Sequence, residues 1–76
     1  MHSIMKFLIN NGIQFTTLEV SDGLFYSFEI NGIRYSAENM RRKYQLNVYR
    51  QGSDFFRPIV CKTQRELIEE LTRLAY

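Results

Sequence analysis

Very few side chains of this sequence could carry out catalysis or bind a metal ion. The chain of 76 residues has one histidine, His2, and one cysteine, Cys61. His2 follows Met1 directly, in a position where chains are usually poorly ordered. Cys61 ends the apolar run "FFRPIVC", which favours a buried structural thiol over a nucleophile or a metal ligand.

The carboxylates are not arranged to share a proton or to surround a metal ion. Three of them lie among basic residues near the C-terminus, and three others are isolated in the first half of the chain. These are Glu66, Glu69 and Glu70, and Glu19, Asp22 and Glu29. A metal cage or an acid–base pair requires such groups to converge, and no glycine-rich phosphate loop is present. We therefore predict that the protein is not an enzyme and has no catalytic residue, metal site or cofactor.

Basic residues are concentrated in the middle of the chain. The formal net charge is only +2, but residues 34–57 contain six basic residues against two acidic ones. They are Arg34, Arg41, Arg42, Lys43, Arg50 and Arg57, against Glu38 and Asp54. Basic clusters bind phosphate groups, so nucleic-acid binding through all of these basic residues except Arg57 is the alternative hypothesis. A run such as 41–43 is also typical of a solvated loop.

Binding of single-stranded nucleic acid also requires exposed aromatic rings on which bases stack. The alternation of the predicted strands assigns Tyr35 and Tyr44 to the core and leaves Phe25 and Tyr49 on the outward face. Two rings are few for this purpose, and the chain has no homeodomain, zinc-finger or RNP-type motif.

The segment "EINGIRY" predicts a β-hairpin, because a type I′ turn requires positive φ at two central residues and Asn31-Gly32 supplies them. The turn pairs apolar residues on one face: Ile30 with Ile33, Phe28 with Tyr35 and Tyr26 with Ala37. Glu29 then lies opposite Arg34 on the other face. Arg34 is thereby also explained as a residue of the sheet surface.

The strand "IQFTTLEV", which precedes this hairpin, is less regular. A three-residue loop that ends with Gly23 places Leu18 opposite Tyr26 on the core face. Phe15 then falls on the opposite face, so we expect a bulge or a twist in this strand.

Helices are predicted at both ends of the chain. In the first, Ser3 is the candidate N-cap, and Gly12 with Ile13 predicts a Schellman motif at the C-terminal end. In the second, Thr63 and Glu66 form a capping box. An apolar stripe follows, made of Leu67, Ile68, Leu71, Leu74 and Ala75, and an ion pair is expected between Glu69 and Arg73.

The predicted fold class is α+β: a helix, an antiparallel meander of four or five strands, and a second helix, in one domain over residues 1–76. The last strand is "FFRPIVC", and Pro58 cannot donate to a ladder, which places this strand at an edge. Each helix is apolar on one side only, so both are expected on the same face of the sheet in a two-layer arrangement. The opposite face is left to water or to a partner.

A protein partner is the hypothesis that the sequence favours. The open sheet face and the edge strand offer four side chains for this contact: Phe25, Tyr49, Phe55 and Arg57. Phe55 and Phe56 point to opposite faces of a regular strand, and a homodimer would cover the one outside the core. Small one-domain proteins of this layout occur among bacterial and phage accessory proteins, including inhibitors that occupy a groove of another protein, an analogy of size and architecture.

The cellular setting follows from the cysteine count and the hydropathy pattern. A single cysteine excludes an internal disulfide framework. No apolar run approaches the roughly 20 residues that a helix needs to cross a bilayer. We therefore expect a cytoplasmic protein with no membrane partner.

Overall fold

The fold is a five-stranded antiparallel sheet flanked in sequence by two helices. The computed structural model describes residues 1–20, 23–40, 42–49 and 56–76. The elements are α1 (His2–Asn10), β1 (Phe15–Val20), β2 (Gly23–Ile30), β3 (Ile33–Met40), β4 (Lys43–Tyr49), β5 (Phe56–Cys61) and α2 (Gln64–Ala75). The strands pair in the order β1-β2-β3-β4-β5. The predicted α+β class and antiparallel meander are confirmed, with five strands.

Both helices lie on one face of the sheet, as predicted. α2 packs against β4 and β5, and α1 packs against α2. The buried apolar core draws side chains from both helices and from β2 to β5: Ile4, Leu8, Tyr26, Phe28, Ile30, Tyr35, Ala37, Leu46, Cys61, Leu67 and Leu71. β5 lies at an edge of the sheet, where Pro58 is tolerated because no further strand needs its missing N–H.

The hairpin between β2 and β3 has the predicted turn and register. Asn31 and Gly32 adopt φ values of 52° and 82°, which a type I′ turn requires. Phe28 pairs with Tyr35, and their rings stack with centroids 5.8 Å apart. The Asn31 amide also donates a hydrogen bond to the Ala75 carbonyl at 3.3 Å, which ties this turn to the end of α2.

The predicted register of β1 was wrong by one residue. Leu18 pairs with Phe25, and Thr17 takes the place opposite Tyr26. Only Ser21 and Asp22, which lie outside the described residues, separate β1 from β2, so the connection is one residue shorter than predicted. A shift by one residue moves every side chain of a strand to the other face. The six pairs of β1 with β2 are consecutive, so the expected bulge is absent as well.

In this register Phe15, rather than Leu18, lies on the core face. Phe15 packs against Tyr26 with ring centroids 5.4 Å apart, whereas Leu18 is 59% exposed. An aromatic ring buries more apolar area than a leucine, so the core gains by taking the larger side chain.

Gly23 is required at the start of β2 because the backbone of β3 approaches it closely. A Cβ atom at this position would lie 2.4 Å from the backbone oxygen of Asn39. A larger residue would therefore force the two strands apart at this end of the hairpin.

The two ends of α1 are stabilised in different ways. The predicted N-cap at Ser3 was wrong, because the N-cap is Met1 and makes no side-chain capping bond. Instead, the Gln64 side-chain oxygen accepts hydrogen bonds from the backbone N–H groups of Ser3 and Ile4 at 3.0 and 3.3 Å. The first turn of α2 therefore supplies the acceptor that the start of α1 lacks.

The C-terminal end of α1 is the predicted Schellman motif. Gly12 has φ 67°, and the Ile13 N–H donates to the Leu8 carbonyl at 2.9 Å. The Gly12 N–H donates to the Ile9 carbonyl at 3.1 Å, which completes the two bonds of this motif.

The predicted cap of α2 is present, with one change of partner. The Thr63 hydroxyl accepts from the Glu66 N–H at 3.1 Å. The Glu66 carboxylate accepts from the Lys62 N–H at 3.1 Å, one residue before the donor that a regular capping box uses.

The ion pairs on α2 differ from the prediction. Glu69 pairs with Arg65, with the guanidinium nitrogen and carboxylate oxygen 3.4 Å apart, and Arg73 pairs with Glu70. The predicted Glu69–Arg73 pair is therefore absent. The Arg65–Glu69 pair is exposed, whereas Glu70 of the other pair is half-buried. Such pairs at the surface stabilise a helix by only about 0.5 kcal/mol each.

The register of β1 can be tested by two alanine substitutions. We expect Leu18→Ala to change the free energy of unfolding by less than about 0.5 kcal/mol, because the side chain is exposed. Phe15→Ala should lower it by about 2 kcal/mol through lost contacts with the core. Urea denaturation followed by circular dichroism measures both values. The opposite ranking would restore the register with Leu18 in the core.

Candidate functional site

The candidate site is the face of the sheet opposite the helices, which we call the outer face. Alternate residues of each strand form it: Thr16 and Leu18 of β1, Phe25, Ser27 and Glu29 of β2, Arg34, Ser36 and Glu38 of β3, Lys43, Gln45, Asn47 and Tyr49 of β4, and Pro58 and Val60 of β5. The core residues occupy the alternate strand positions and point to the opposite face, where the helices pack. Neither α1 nor α2 therefore covers the outer face.

A row of small and polar residues crosses the middle of the outer face. The strand register aligns Thr16, Ser27, Ser36, Asn47 and Pro58 across the five strands. Ser36 and Asn47 are each only 1% exposed, although no helix lies over them.

Four polar side chains on this face form one hydrogen-bond network. Gln45 donates from Nε2 to Asn47 Oδ1 at 2.7 Å, and Asn47 donates from Nδ2 to Ser36 Oγ at 2.9 Å. The hydroxyl groups of Ser36 and Tyr49 are 3.2 Å apart. Within the described residues, no buried side-chain nitrogen or oxygen lacks a partner. A satisfied buried network of this kind rigidifies the side chains that it joins, so the Tyr49 ring is held in place.

Apolar side chains are exposed at both edges of the outer face. One row runs from Leu18 through Phe25, Glu38 and Gln45 to Val60. Leu18 is 59% exposed and Val60 is 55% exposed, and Phe25 is half-buried between β1 and β3. This row therefore presents apolar groups at its ends and a carboxylate near its centre.

Of the four predicted protein-binding residues, the structure describes the side chains of two, Phe25 and Tyr49. Phe25 and Tyr49 lie on the outer face, in agreement with the prediction. Phe55 lies outside the described residues, and Arg57 belongs to β5 but its side chain is outside the described part. Sequence reasoning missed Leu18, because it assumed the wrong loop length before β2.

Val60 was missed as well, although strand alternation could have predicted its position. Cys61 pairs with Tyr44 of β4, and both side chains lie on the core face. Strict alternation from a buried Cys61 would have assigned Val60 to the outer face.

The predicted basic cluster is divided between two ends of the sheet. Arg34 pairs with Tyr49 at one end of β3, and Met40 pairs with Lys43 at the other. Strand geometry separates these two ends by about 20 Å. Lys43 is the first residue of β4, and Arg42 beside it is exposed. Glu38 lies on the outer face between the two ends, and Arg41 and Arg50 lie outside the described residues.

Side chains that could bind a metal ion or act in catalysis do not cluster in the part of the chain that the structure describes. No group of three or more histidine, cysteine, aspartate or glutamate residues within those ranges is placed to hold a metal ion. His2 begins α1 and is exposed. A shallow open groove beside β1 is lined by Ile13, Gln14, Phe15, Thr16 and Ser27, none of which has a titratable side chain. None of the helices in the described ranges has the length and apolarity to cross a membrane.

Cys61 is a buried free thiol beneath α2. It is 1% exposed and has no disulfide partner. Burial raises the pKa of this thiol, and the negative charges of Glu66 and Glu70 raise it further. Burial also raises the pKa of Tyr35 in the core. Raised pKa values keep both groups protonated near neutral pH, which is the opposite of an activated nucleophile.

The position of Cys61 predicts slow thiol chemistry and a loss of stability at high pH. We expect a disulfide reagent at neutral pH to react with the folded protein at least about tenfold more slowly than with the urea-unfolded chain. Above pH ~8.5 the unfolded chain loses the thiol proton while the folded chain retains it, so the free energy of unfolding falls as pH rises towards the raised pKa. In Cys61→Ala this part of the pH dependence should be absent, as urea titrations across that range would show. Equal reactivity of the folded and unfolded chains would contradict the buried position.

No family model, no curated protein and no solved structure matches this chain.

Proposed function

We propose that this protein is a non-enzymatic interaction module that binds a protein partner through the outer face. The observation that supports this most directly is the exposure of apolar side chains there, with Leu18 at 59% and Val60 at 55%. Phe25 adjoins Leu18 as its cross-strand partner. Apolar side chains that share a surface with polar and charged residues are typical of protein-binding surfaces.

The rigidity of the middle of the face supports the same proposal. Ser36 and Asn47 are buried and hydrogen-bonded, and Tyr49 is linked to them through its hydroxyl. A tyrosine that is already ordered loses little conformational entropy when a partner covers it. Tyrosine is also among the residues that contribute most to protein–protein binding.

The dimensions of the face suit a small protein contact. Five strands at a spacing of about 4.8 Å, with about seven residues each, give a surface of roughly 550 Å². A partner that matched it would bury a total of roughly 1,100 Å², at the lower end of specific protein interfaces. We therefore expect binding of moderate affinity from the face alone.

An edge strand is the second route in this proposal. β1 and β5 are the two edges of the sheet, and an extended segment of a partner could add to either of them. Pro58 interrupts the donors of β5, whereas β1 contains no proline. For a small binding protein with a free, buried thiol, we propose an accessory or inhibitory role in the cytoplasm.

Nucleic-acid binding remains the alternative, with weaker support. Its contacts would include Arg34 at one end of β3 and Arg42 and Lys43 at the other end. The separation of about 20 Å along the strand would require a nucleic acid that crosses the whole face. Glu38 lies on that path and would oppose the phosphate charges.

The proposal is tested by capture of a partner with a tagged chain and two matched variants. Leu18→Glu places a charge on the outer face, and Leu74→Glu places the same charge on α2, where Leu74 is 43% exposed. We expect Leu18→Glu to reduce the capture of a stoichiometric protein by about tenfold or more. Leu74→Glu should leave it unchanged, and nuclease should have no effect.

Two outcomes would contradict the proposed function. Equal loss in both leucine variants would show that the outer face is not specifically involved. Captured material that disappears with nuclease, and also in a variant with Arg34, Arg42 and Lys43 changed to alanine, would favour the nucleic-acid alternative, whose affinity should fall steeply with added salt.

A further inference from the structure

We propose that a second copy of this chain binds to the outer face, with a twofold axis that runs across the strands through Ser36. This inference rests on the proposed function, because it assigns a partner to the same face. The charges on β3, the spacing of packed sheets and the area of the face support it.

Two opposite charges lie symmetrically about Ser36. Arg34 precedes it by two residues and Glu38 follows it by two residues, so all three side chains lie on the outer face of β3. The two charged residues are about 13 Å apart along the strand. The ion pairs within the described residues are Arg65–Glu69 and Glu70–Arg73, so neither Arg34 nor Glu38 forms one there, although Glu29 is the cross-strand neighbour of Arg34.

This charge pattern distinguishes the two simplest ways of stacking identical sheets. A twofold axis across the strands through Ser36 places Arg34 of each copy over Glu38 of the other, and forms two equivalent ion pairs. A twofold axis along β3 would place Arg34 over Arg34 and Glu38 over Glu38. Like charges that face each other across an interface are strongly unfavourable, so the pattern favours the first arrangement.

The other side chains are compatible with this arrangement. It places Gln45 of one copy over Tyr49 of the other, and Phe25 over Glu29, so no like charges meet at these positions. Packed sheets lie about 10 Å apart, a distance that a facing arginine and glutamate can bridge together. Ser36, at the centre, is small and does not keep the two sheets apart.

The area of the face sets the expected strength of this dimer. Two copies would bury a total of roughly 1,100 Å², close to the roughly 1,000 Å² at which specific interfaces begin. We therefore expect a reversible dimer that forms at micromolar or higher concentration and weakens as salt is added.

A charge-reversal cycle tests the arrangement. Sedimentation velocity from roughly 1 µM to roughly 1 mM protein would give the dissociation constant of each variant. We expect Arg34→Glu and Glu38→Arg each to raise it by about tenfold or more, because each substitution places like charges opposite one another. The double variant restores opposite charges and should return to within about threefold of the unsubstituted chain.

Lys6→Glu is the matched control for Arg34→Glu. It makes the same change in net charge at an exposed position on α1, in the helical layer, and should leave the dimer intact. Circular dichroism of every variant verifies that the fold is retained, which is expected because Arg34 is an exposed surface residue.

Three results would overturn this inference: a monomer at all concentrations, a dimer insensitive to both single reversals, or a double variant that is no tighter than the single ones. Each is distinguishable from a failure of the proposed function. A monomeric chain that still captures another protein, and loses that capture with Leu18→Glu, would refute self-association and retain the binding role of the outer face.

Discussion

The Asn31-Gly32 turn fixes the register of β2 against β3, and the two faces of the central sheet follow from it. Because side chains alternate along a strand, a slip of one residue would exchange the core face and the outer face completely. The stacked rings of Phe28 and Tyr35 and the turn itself enforce the same register. A local backbone preference and a tertiary contact therefore agree, a consistency that is typical of sequences with one stable fold.

Two one-sided helices cover one face of this sheet, and long-range hydrogen bonds attach them to it and to each other. Gln64 at the start of α2 accepts from the first turn of α1, and Asn31 in the central turn donates to the last turn of α2. A chain of this size buries a limited apolar area, so such connections matter for the position of the helices. Neither helix reaches the other face, so the helical layer leaves the outer face uncovered.

The outer face combines a rigid polar centre with apolar edges. Ser36 and Asn47 are buried although no helix lies over them, and each has a hydrogen-bond partner. Leu18 and Val60 stand at opposite edges and remain exposed. An exposed leucine by itself is common on protein surfaces, but here exposed apolar groups share one face with an ordered tyrosine and with charges of both signs. That combination supports a binding surface better than any single residue does.

Local signals in the sequence determined most of the secondary structure and part of the site. The Asn31-Gly32 turn, the Gly12 cap and the Thr63 cap depend on a few adjacent residues, and strand alternation was enough to place Tyr49 on the outer face. Competition between distant groups decided the rest, such as which side chain of β1 enters the core. Phe15 takes that place because it meets Tyr26, a contact that the spacing within β1 cannot reveal. The separation of Arg34 from Lys43 is likewise a property of the folded hairpin, because residues close in sequence can lie at opposite ends of a strand pair.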